Sequence, residues 1–134
     1  MSKTVIAVDG APRPFQGAPY NQAIRTDELV FCAGQVGLDP ETGRLVEGGI
    51  EAEARRALDN LQAVLEGAGS GMDSVVKTTV FVTDLGQFAA MNEIYAGYFT
   101  SDPPARSTVQ VSALPAGACV EVEAIALADW NNGV

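Results

Sequence analysis

The sequence predicts an α+β domain in which one mixed β-sheet carries two helices packed on one face. Short runs of β-branched residues with period-two alternation recur along the chain and are bounded by glycine- and proline-rich turns. Two other segments place apolar residues at three- and four-residue spacing, as amphipathic helices do. The length of 134 residues is typical of one domain, and we expect a single domain over residues 1–134.

Three strands and two irregular segments are predicted in the first part of the chain. Residues Thr4–Val8 form a short first strand, whereas Gly10–Tyr20 contains three prolines and is expected to be an irregular loop. Ala23–Thr26 and Leu29–Val36 follow as a pair of strands. Asp39–Gly43 has the Asp, Pro and Gly composition of a turn that reverses the chain.

The first helix is predicted from an apolar stripe that begins at Ile50. The glycine-rich segment 67–71 ends it. The stripe repeats at helical spacing, so this helix should bury one face against the sheet. Its members are Ile50, Ala54, Ala57, Leu58, Leu61, Val64, Leu65 and Ala68.

A central strand and a second helix follow. Ser74–Thr83 is a β-branched run with apolar residues on both faces, which is typical of a strand inside a sheet. Asp84, with Gln87 three residues later, predicts the cap of a helix that ends before Pro103. The apolar face of this helix would carry Phe88, Met91, Tyr95 and Tyr98.

The last two strands are predicted to form a hairpin. The runs Pro104–Val111 and Val120–Ala126 are joined through Leu114–Gly117, which has the composition of a tight turn. Residues 131–134 are expected to be a frayed tail. Because two helices cover only one sheet face, we expect copies of the same chain to cover the other.

Charged side chains lie inside both of these strands. Period-two alternation places Arg106, Thr108 and Gln110 on one face of the first strand. It places Glu121 and Glu123 on one face of the second, and in a hairpin these polar faces could coincide. An arginine fork beside carboxylates can bind an anionic substrate and position a water molecule. The alternative is a solvated face with a cross-strand ion pair.

The charge balance argues against a nucleic acid partner. Seventeen acidic residues oppose eight basic ones, and the formal net charge is −9. No run of Lys or Arg provides a phosphate-binding patch. No segment is long and apolar enough to span a bilayer, and the first residues lack the apolar core of a signal peptide. We therefore expect a cytoplasmic protein with neither a nucleic acid nor a membrane partner.

The absence of histidine narrows the chemistry further. It removes Ser-His and Cys-His nucleophile systems and the usual zinc ligand sets, so we expect chemistry without a metal. Cys32 and Cys119 both lie in apolar runs, where a free cysteine behaves as a small hydrophobic residue. We do not expect a disulfide between them in a reducing compartment.

Several motifs along the chain together resemble the RidA/YjgF family of reactive-intermediate (enamine/imine) deaminases. Each motif alone is weak, but the set is specific and covers nearly the whole chain in the family's order. The motifs are Gly17–Tyr20, Phe31–Pro40, Val76–Leu85, Met91–Tyr95, Pro104–Val109 and Val120–Ala126.

The resemblance implies a fold, an assembly and an activity. The family has a chorismate-mutase-like fold and usually forms a homotrimer whose ligand sites lie in clefts between subunits. Its members hydrolyse 2-imino acids and their enamine tautomers, of the 2-iminobutanoate and 2-iminopropanoate class, to 2-keto acids and ammonia. This chemistry needs no cofactor and no covalent intermediate, because an iminium carbon is already electrophilic.

The resemblance also implies roles for individual residues. Arg106 would bind the substrate carboxylate, for which a guanidinium has matching geometry. The backbone amide of Thr108 would bind the same carboxylate. Glu121 would position and partly deprotonate the attacking water, whereas Glu123 is expected to be a structural or surface residue.

Further substrate-binding positions are Tyr20, Ala33, Gly34 and Asn92. Tyr20 matches the tyrosine that closes over the ligand, and the alternative is that it fills the core. Asn92 lies on an apolar helix face and should be satisfied either within the fold or by the site. Two positions depart from the family pattern: Ala33 stands where many members carry a hydroxyl residue, and Thr108 where some carry cysteine. The loss of the hydroxyl puts turnover rate and substrate preference in question.

Two other functions compete with a deaminase. A non-catalytic trimer could use the same cleft to sense keto acids or other small carboxylates. A ribonuclease role, attached to some relatives, suits neither the net charge of −9 nor the lack of histidine. Saturable keto-acid binding without imine hydrolysis would distinguish the sensor from the enzyme.

Overall fold

A computed structural model describes residues 2–128 of the chain. The predicted α+β class is confirmed: one mixed six-stranded sheet carries two α-helices. The strands are β1 (Thr4–Ile6), β2 (Ala23–Arg25), β3 (Leu29–Val36), β4 (Val75–Val82), β5 (Ala105–Gln110) and β6 (Val120–Leu127), and the helices are α1 (Gly49–Gly67) and α2 (Phe88–Ala96).

The strands are ordered β1-β2-β3-β6-β4-β5 across the sheet. Strands β4 and β5 are parallel and are connected through α2, whereas the other neighbours are antiparallel. The predicted pairing of β2 with β3 and the internal position of β4 are confirmed. The predicted turn after β3 is also confirmed, since the Gly43 N–H donates to the Asp39 carbonyl at 2.8 Å.

The predicted hairpin between β5 and β6 is wrong. Strand β4 lies between them and pairs with both, Phe81 opposite Val109 on one side and opposite Glu121 on the other. Pairing of consecutive strands is only a tendency, and β4 has apolar side chains on both faces that favour a position inside the sheet. The predicted turn residues Pro115–Gly117 form one turn of 3₁₀ helix within a longer connection that passes the end of β4.

Both helices pack against the same face of the sheet, as predicted. Apolar side chains of α1 at Leu58, Leu61 and Leu65 are fully buried against alternate residues of β4 and β6, including Val80 and Val122. Burial of such side chains is the main source of stability for this layer. Alternation then sends the odd-numbered residues of β6 to the opposite face of the sheet.

That second face is apolar and open in the single chain. It carries exposed large side chains from four strands: Val5, Phe31, Val109 and Leu127 are each 41–53% exposed. Half-buried Phe81 and Ile125 lie among them. The same face also carries Glu121 and Glu123. A sheet face that exposes several large apolar side chains is typical of a surface that contacts another protein chain.

Three sequence expectations concern smaller features. Cys32 and Cys119 are free thiols, in agreement with the expected lack of a disulfide. No helix within residues 2–128 is both long enough and apolar enough to cross a membrane. The tail predicted at 131–134 lies outside the described residues.

A buried asparagine fixes the end of β3. The Asn60 side chain is fully buried in α1, and its Nδ2 donates to the carbonyls of Val36 at 3.2 Å and Leu38 at 2.9 Å. Its Oδ1 accepts a hydrogen bond from Nε of Arg56 at 3.1 Å. All of its strong polar atoms are therefore paired, which a buried amide requires.

We predict that Asn60→Ala lowers the free energy of unfolding by about 2–4 kcal/mol, because two buried carbonyls lose their donor and a cavity remains. Gln62→Ala on the same helix is the control, since its amide bonds only the exposed Glu66 carboxylate. The control should change stability by less than about 0.5 kcal/mol. Urea denaturation measures both variants, and equal losses would contradict the assignment.

Candidate functional site

The guanidinium of Arg106 lies on the helix side of the sheet, at the edge formed by β5. Arg106 pairs with the buried Thr78 of β4 and shares its face. Its Nη2 donates to Oδ1 of Asn92 at 2.6 Å. Its central carbon lies 5.3 Å from the ring centroid of Phe88 and 4.7 Å from that of Tyr95, which are cation–π distances.

Helix α2 supplies all three of these contacts. Phe88, Asn92 and Tyr95 are spaced four and three residues apart, so they form one stripe on the helix surface. Two rings and one amide oxygen thus hold the guanidinium of Arg106. The sequence placed Asn92 either within the fold or at the site, and the structure makes it a hydrogen-bond partner of the predicted carboxylate-binding residue.

The backbone of β5 leaves hydrogen-bond donors free at this edge. The Val111 N–H donates to the Val82 carbonyl at 2.8 Å, so the amides of alternate residues before it also face β4. The amides of Arg106 and Thr108 consequently point away from the sheet, on the side where β5 has no neighbouring strand within residues 2–128. A carboxylate at the edge could contact the Arg106 fork and the Thr108 N–H together.

Glu121 lies on the other face of the sheet. It is half-buried in β6, between Val36 of β3 and Phe81 of β4. Gly34 leaves the space for its carboxyl group, because a Cβ atom at Gly34 would lie 2.7 Å from Oε2 of Glu121. Gly34 and Glu121, each predicted as a site residue, therefore lie next to each other.

Two effects raise the pKa of Glu121. Burial is the larger, since it disfavours the charged carboxylate, and the negative charge of Glu123 is the second. Glu123 lies two residues away on the same face of β6 and is exposed. A carboxyl group with a raised pKa is better suited to exchange protons near neutral pH than an ordinary surface glutamate.

The expected coincidence of the two polar faces within one chain is wrong. Arg106 shares the helix face with Thr78, whereas Glu121 is opposite Phe81 on the open face. The cause is the position of β4 between the two strands, which replaces the hairpin that would have joined their faces. A single chain thus presents two half-sites, with the sheet between them.

Tyr20 lies in the loop before β2, and Ala33 lies within β3. Tyr20 is 43% exposed, so it does not fill the core, and its hydroxyl accepts a hydrogen bond from the Phe15 N–H at 3.2 Å. Ala33 is half-buried, and its N–H donates to the Gln22 carbonyl at 2.9 Å. Among residues 2–128, no three Cys, Asp or Glu side chains converge in a group that could hold a metal ion.

Comparison with known proteins identifies the family of the chain. Residues 11–128 match the family described as endoribonuclease L-PSP. The chain belongs to the RidA/YjgF family. A RutC family protein of Pyrococcus abyssi is 47% identical over 126 residues, which cover 94% of this chain and 98% of that protein. The Mus musculus protein named 2-iminobutanoate/2-iminopropanoate deaminase is 47% identical over 125 residues, 93% of this chain and 91% of that protein.

Solved structures of RidA/YjgF proteins have the same fold. RidA from the Antarctic bacterium Psychrobacter superposes with a TM-score of 0.87 at 40% identity, covering 92% of this chain and 98% of that one. The E. coli TdcF structure, which contains bound serine, gives a TM-score of 0.88 at 36% identity with the same coverage of 92% and 98%.

Sequence reasoning assigned Phe88 and Tyr95 to the core and missed their contact with Arg106. Their helical spacing with Asn92 was the available signal, because an amide on an apolar helix face needs a hydrogen-bond partner. The partner could not be identified because the neighbour of α2 depends on strand order. Phe88 remains 38% exposed, which is unusual for a core ring.

We predict that Gly34→Ala destabilises the protein by about 1–3 kcal/mol and displaces the Glu121 carboxyl group, because the new methyl group would overlap it. Gly71→Ala is the matched control, because Gly71 has extended backbone and no atom within 4 Å of the added Cβ. Thermal unfolding of both variants measures the difference. If Gly34→Ala and Gly71→Ala are equally stable, the Glu121 side chain moves aside with no loss of stability.

Proposed function

We propose that this protein hydrolyses 2-imino acids of the 2-iminobutanoate and 2-iminopropanoate class to 2-keto acids and ammonia. The observation that carries the proposal is the Arg106 guanidinium, held at a free strand edge beside the outward-facing Thr108 amide. Such a fork binds a carboxylate in two parallel hydrogen bonds. The half-buried Glu121 supplies the proton-transfer group that hydrolysis also requires.

The chemistry follows from these two groups. Water attacks the iminium carbon while Glu121 accepts one of its protons, and a C–O bond forms as the C=N π bond breaks. The resulting 2-amino-2-hydroxy acid takes the proton back on nitrogen. The C–N bond then breaks as Glu121 removes the proton of the hydroxyl group, so that the oxygen forms the ketone and ammonia departs. The departing ammonia accepts this proton from Glu121 and leaves as ammonium. Glu121 ends ionised, and Arg106 holds the carboxylate throughout.

The active site is assembled from two copies of the chain, since one chain has Arg106 and Glu121 on opposite faces. Covering the open apolar face with a neighbouring copy buries Phe31, Val109 and Leu127 and brings the Glu121 half-site of one chain next to a neighbour. In a closed homotrimer, the open sheet face of every chain is covered in the same way. In this arrangement Tyr20, Ala33 and Gly34 line the cleft with Glu121, while Asn92 positions Arg106 across it.

Two relatives support this proposal. The mouse relative, 47% identical, is named for hydrolysis of these two imino acids. The E. coli TdcF structure contains bound serine, a small molecule with the carboxylate and the nitrogen that the proposed substrate also has. The family description as an endoribonuclease is less compatible with a chain of net charge −9.

The central test is ammonia release from freshly generated 2-iminobutanoate. Glu121→Gln should lower turnover on the order of a hundredfold or more and leave keto-acid binding nearly unchanged, because the base acts only as water attacks. Glu123→Gln is the control and should retain near wild-type turnover. Keto-acid binding without any accelerated hydrolysis in the wild type would instead identify a sensor.

The two-chain site predicts complementation between inactive variants. Arg106→Ala and Glu121→Gln chains, expressed together in equal amounts, assemble at random, so about one site in four over all trimers has both intact residues. Turnover should therefore return to about a quarter of the wild-type value, although each variant alone is inactive. Light scattering verifies that the mixture assembles. A mixture as inactive as its parents would place both residues of a site on one chain.

The raised pKa of Glu121 predicts a pH dependence. A general base must be ionised, so kcat/KM should fall as the pH drops through a value above the ordinary 4.5 of glutamate. Glu123→Gln removes the second cause of the elevation, so its acid limb should move to lower pH while the plateau stays unchanged. The pH–rate profiles of the wild type and of Glu123→Gln, measured in parallel, test this. Acid limbs at the same pH would exclude an influence of Glu123 on the pKa of Glu121.

A further inference from the structure

We propose that Thr78 and Tyr95 are positioning residues, and that the hydrogen bond between their side chains holds the Arg106 guanidinium in the orientation that binds the substrate carboxylate. This inference rests on the proposed function, because it assigns Arg106 to the carboxylate. It concerns two residues that contact neither the open sheet face nor the Glu121 half-site.

The bond lies in the core between β4 and α2. Thr78 is fully buried and Tyr95 is 6% exposed, and their side-chain oxygens are 2.7 Å apart. Within residues 2–128, no other hydrogen bond joins two fully buried side chains. Other buried polar side chains, such as Asn60, donate to backbone carbonyls instead.

Stability alone does not account for such a pair. Replacing both partners of a buried hydrogen bond by apolar groups of the same shape is nearly neutral, and valine with phenylalanine would fill this space. What the pair adds is a fixed position for the Tyr95 ring. The bond to Thr78 anchors one end of the ring, and Phe99 packs against it with a centroid separation of 4.6 Å.

The ring that is fixed in this way is also the one closest to the Arg106 charge. The guanidinium carbon lies 4.7 Å from the Tyr95 centroid, compared with 5.3 Å for Phe88. Burial raises the pKa of Tyr95, so the phenol stays protonated although Thr78 and the Arg106 charge act in the opposite direction. Either of the two hydroxyl groups can be the donor in this bond.

The guanidinium is therefore held on two sides before any ligand arrives. Asn92 occupies one of its five N–H groups, and the Tyr95 ring sets its plane. Its other N–H groups can bind a carboxylate, next to the outward-facing Thr108 amide. Preorganisation of this kind improves affinity because less side-chain freedom is lost on binding.

Calorimetric titration with pyruvate, the 2-keto acid that hydrolysis of 2-iminopropanoate would form, tests the inference. Thr78→Val and Tyr95→Phe should each raise the pyruvate Kd about three- to tenfold, with a matching rise in KM and little change in kcat. The double variant should bind no more weakly than the weaker single variant, because both changes remove the same bond. Thr78→Ser retains the hydroxyl and should restore wild-type binding.

Tyr98→Phe is the matched control, since its hydroxyl donates to Asp59 at 2.7 Å and has no contact with Arg106. It should leave the pyruvate Kd unchanged.

If Thr78→Val and Tyr95→Phe bind pyruvate like the wild type and only their melting temperatures fall, the pair is structural and the inference is wrong. A wild type that binds pyruvate but releases no ammonia overturns the proposed enzyme and not this inference. A wild type that binds no pyruvate overturns both.

Discussion

The position of β6 inside the sheet is the constraint on which the rest of this structure depends. It hydrogen-bonds to β3 on one side and β4 on the other, so both of its edges are satisfied. Its even-numbered residues, Val120 to Ala126, are buried beneath the helices. Period-two alternation then leaves Glu121 and Glu123 no place except the open face, whatever their chemistry.

The same constraint separates the two groups of opposite charge. Had β5 paired with β6, Arg106 could have neutralised a glutamate of its own chain and formed an ordinary ion pair. Placed instead against α2, Arg106 interacts with an amide and two aromatic rings, which hold it without cancelling its charge. Its charge stays available to an anion, and Glu121 stays without a cation that would lower its pKa.

Local patterns predicted the elements well because their causes are local. The stripe from Ile50 defined α1, and the alternation in β5 and β6 assigned the faces of Arg106 and Glu121 within each strand. Strand order was not predictable in this way, since it depends on which strand can bury both faces. The contacts of Arg106 with Phe88 and Tyr95 were missed for the same reason. So was Asn60, whose partners Val36 and Leu38 are distant in sequence.

The last strand in chain order occupies the middle of the sheet, and this has a consequence for synthesis. While a ribosome is still adding residues 120–127, β1 to β3 and β4 with β5 exist only as two separate pieces that share no strand pairing. The contacts of β6 with β3 join residues far apart in the sequence, so they form slowly. They cannot form before residues 120–127 have been synthesised. Until then, the edges of β3 and β4 that β6 will pair are exposed, and unpaired strand edges of this kind promote aggregation.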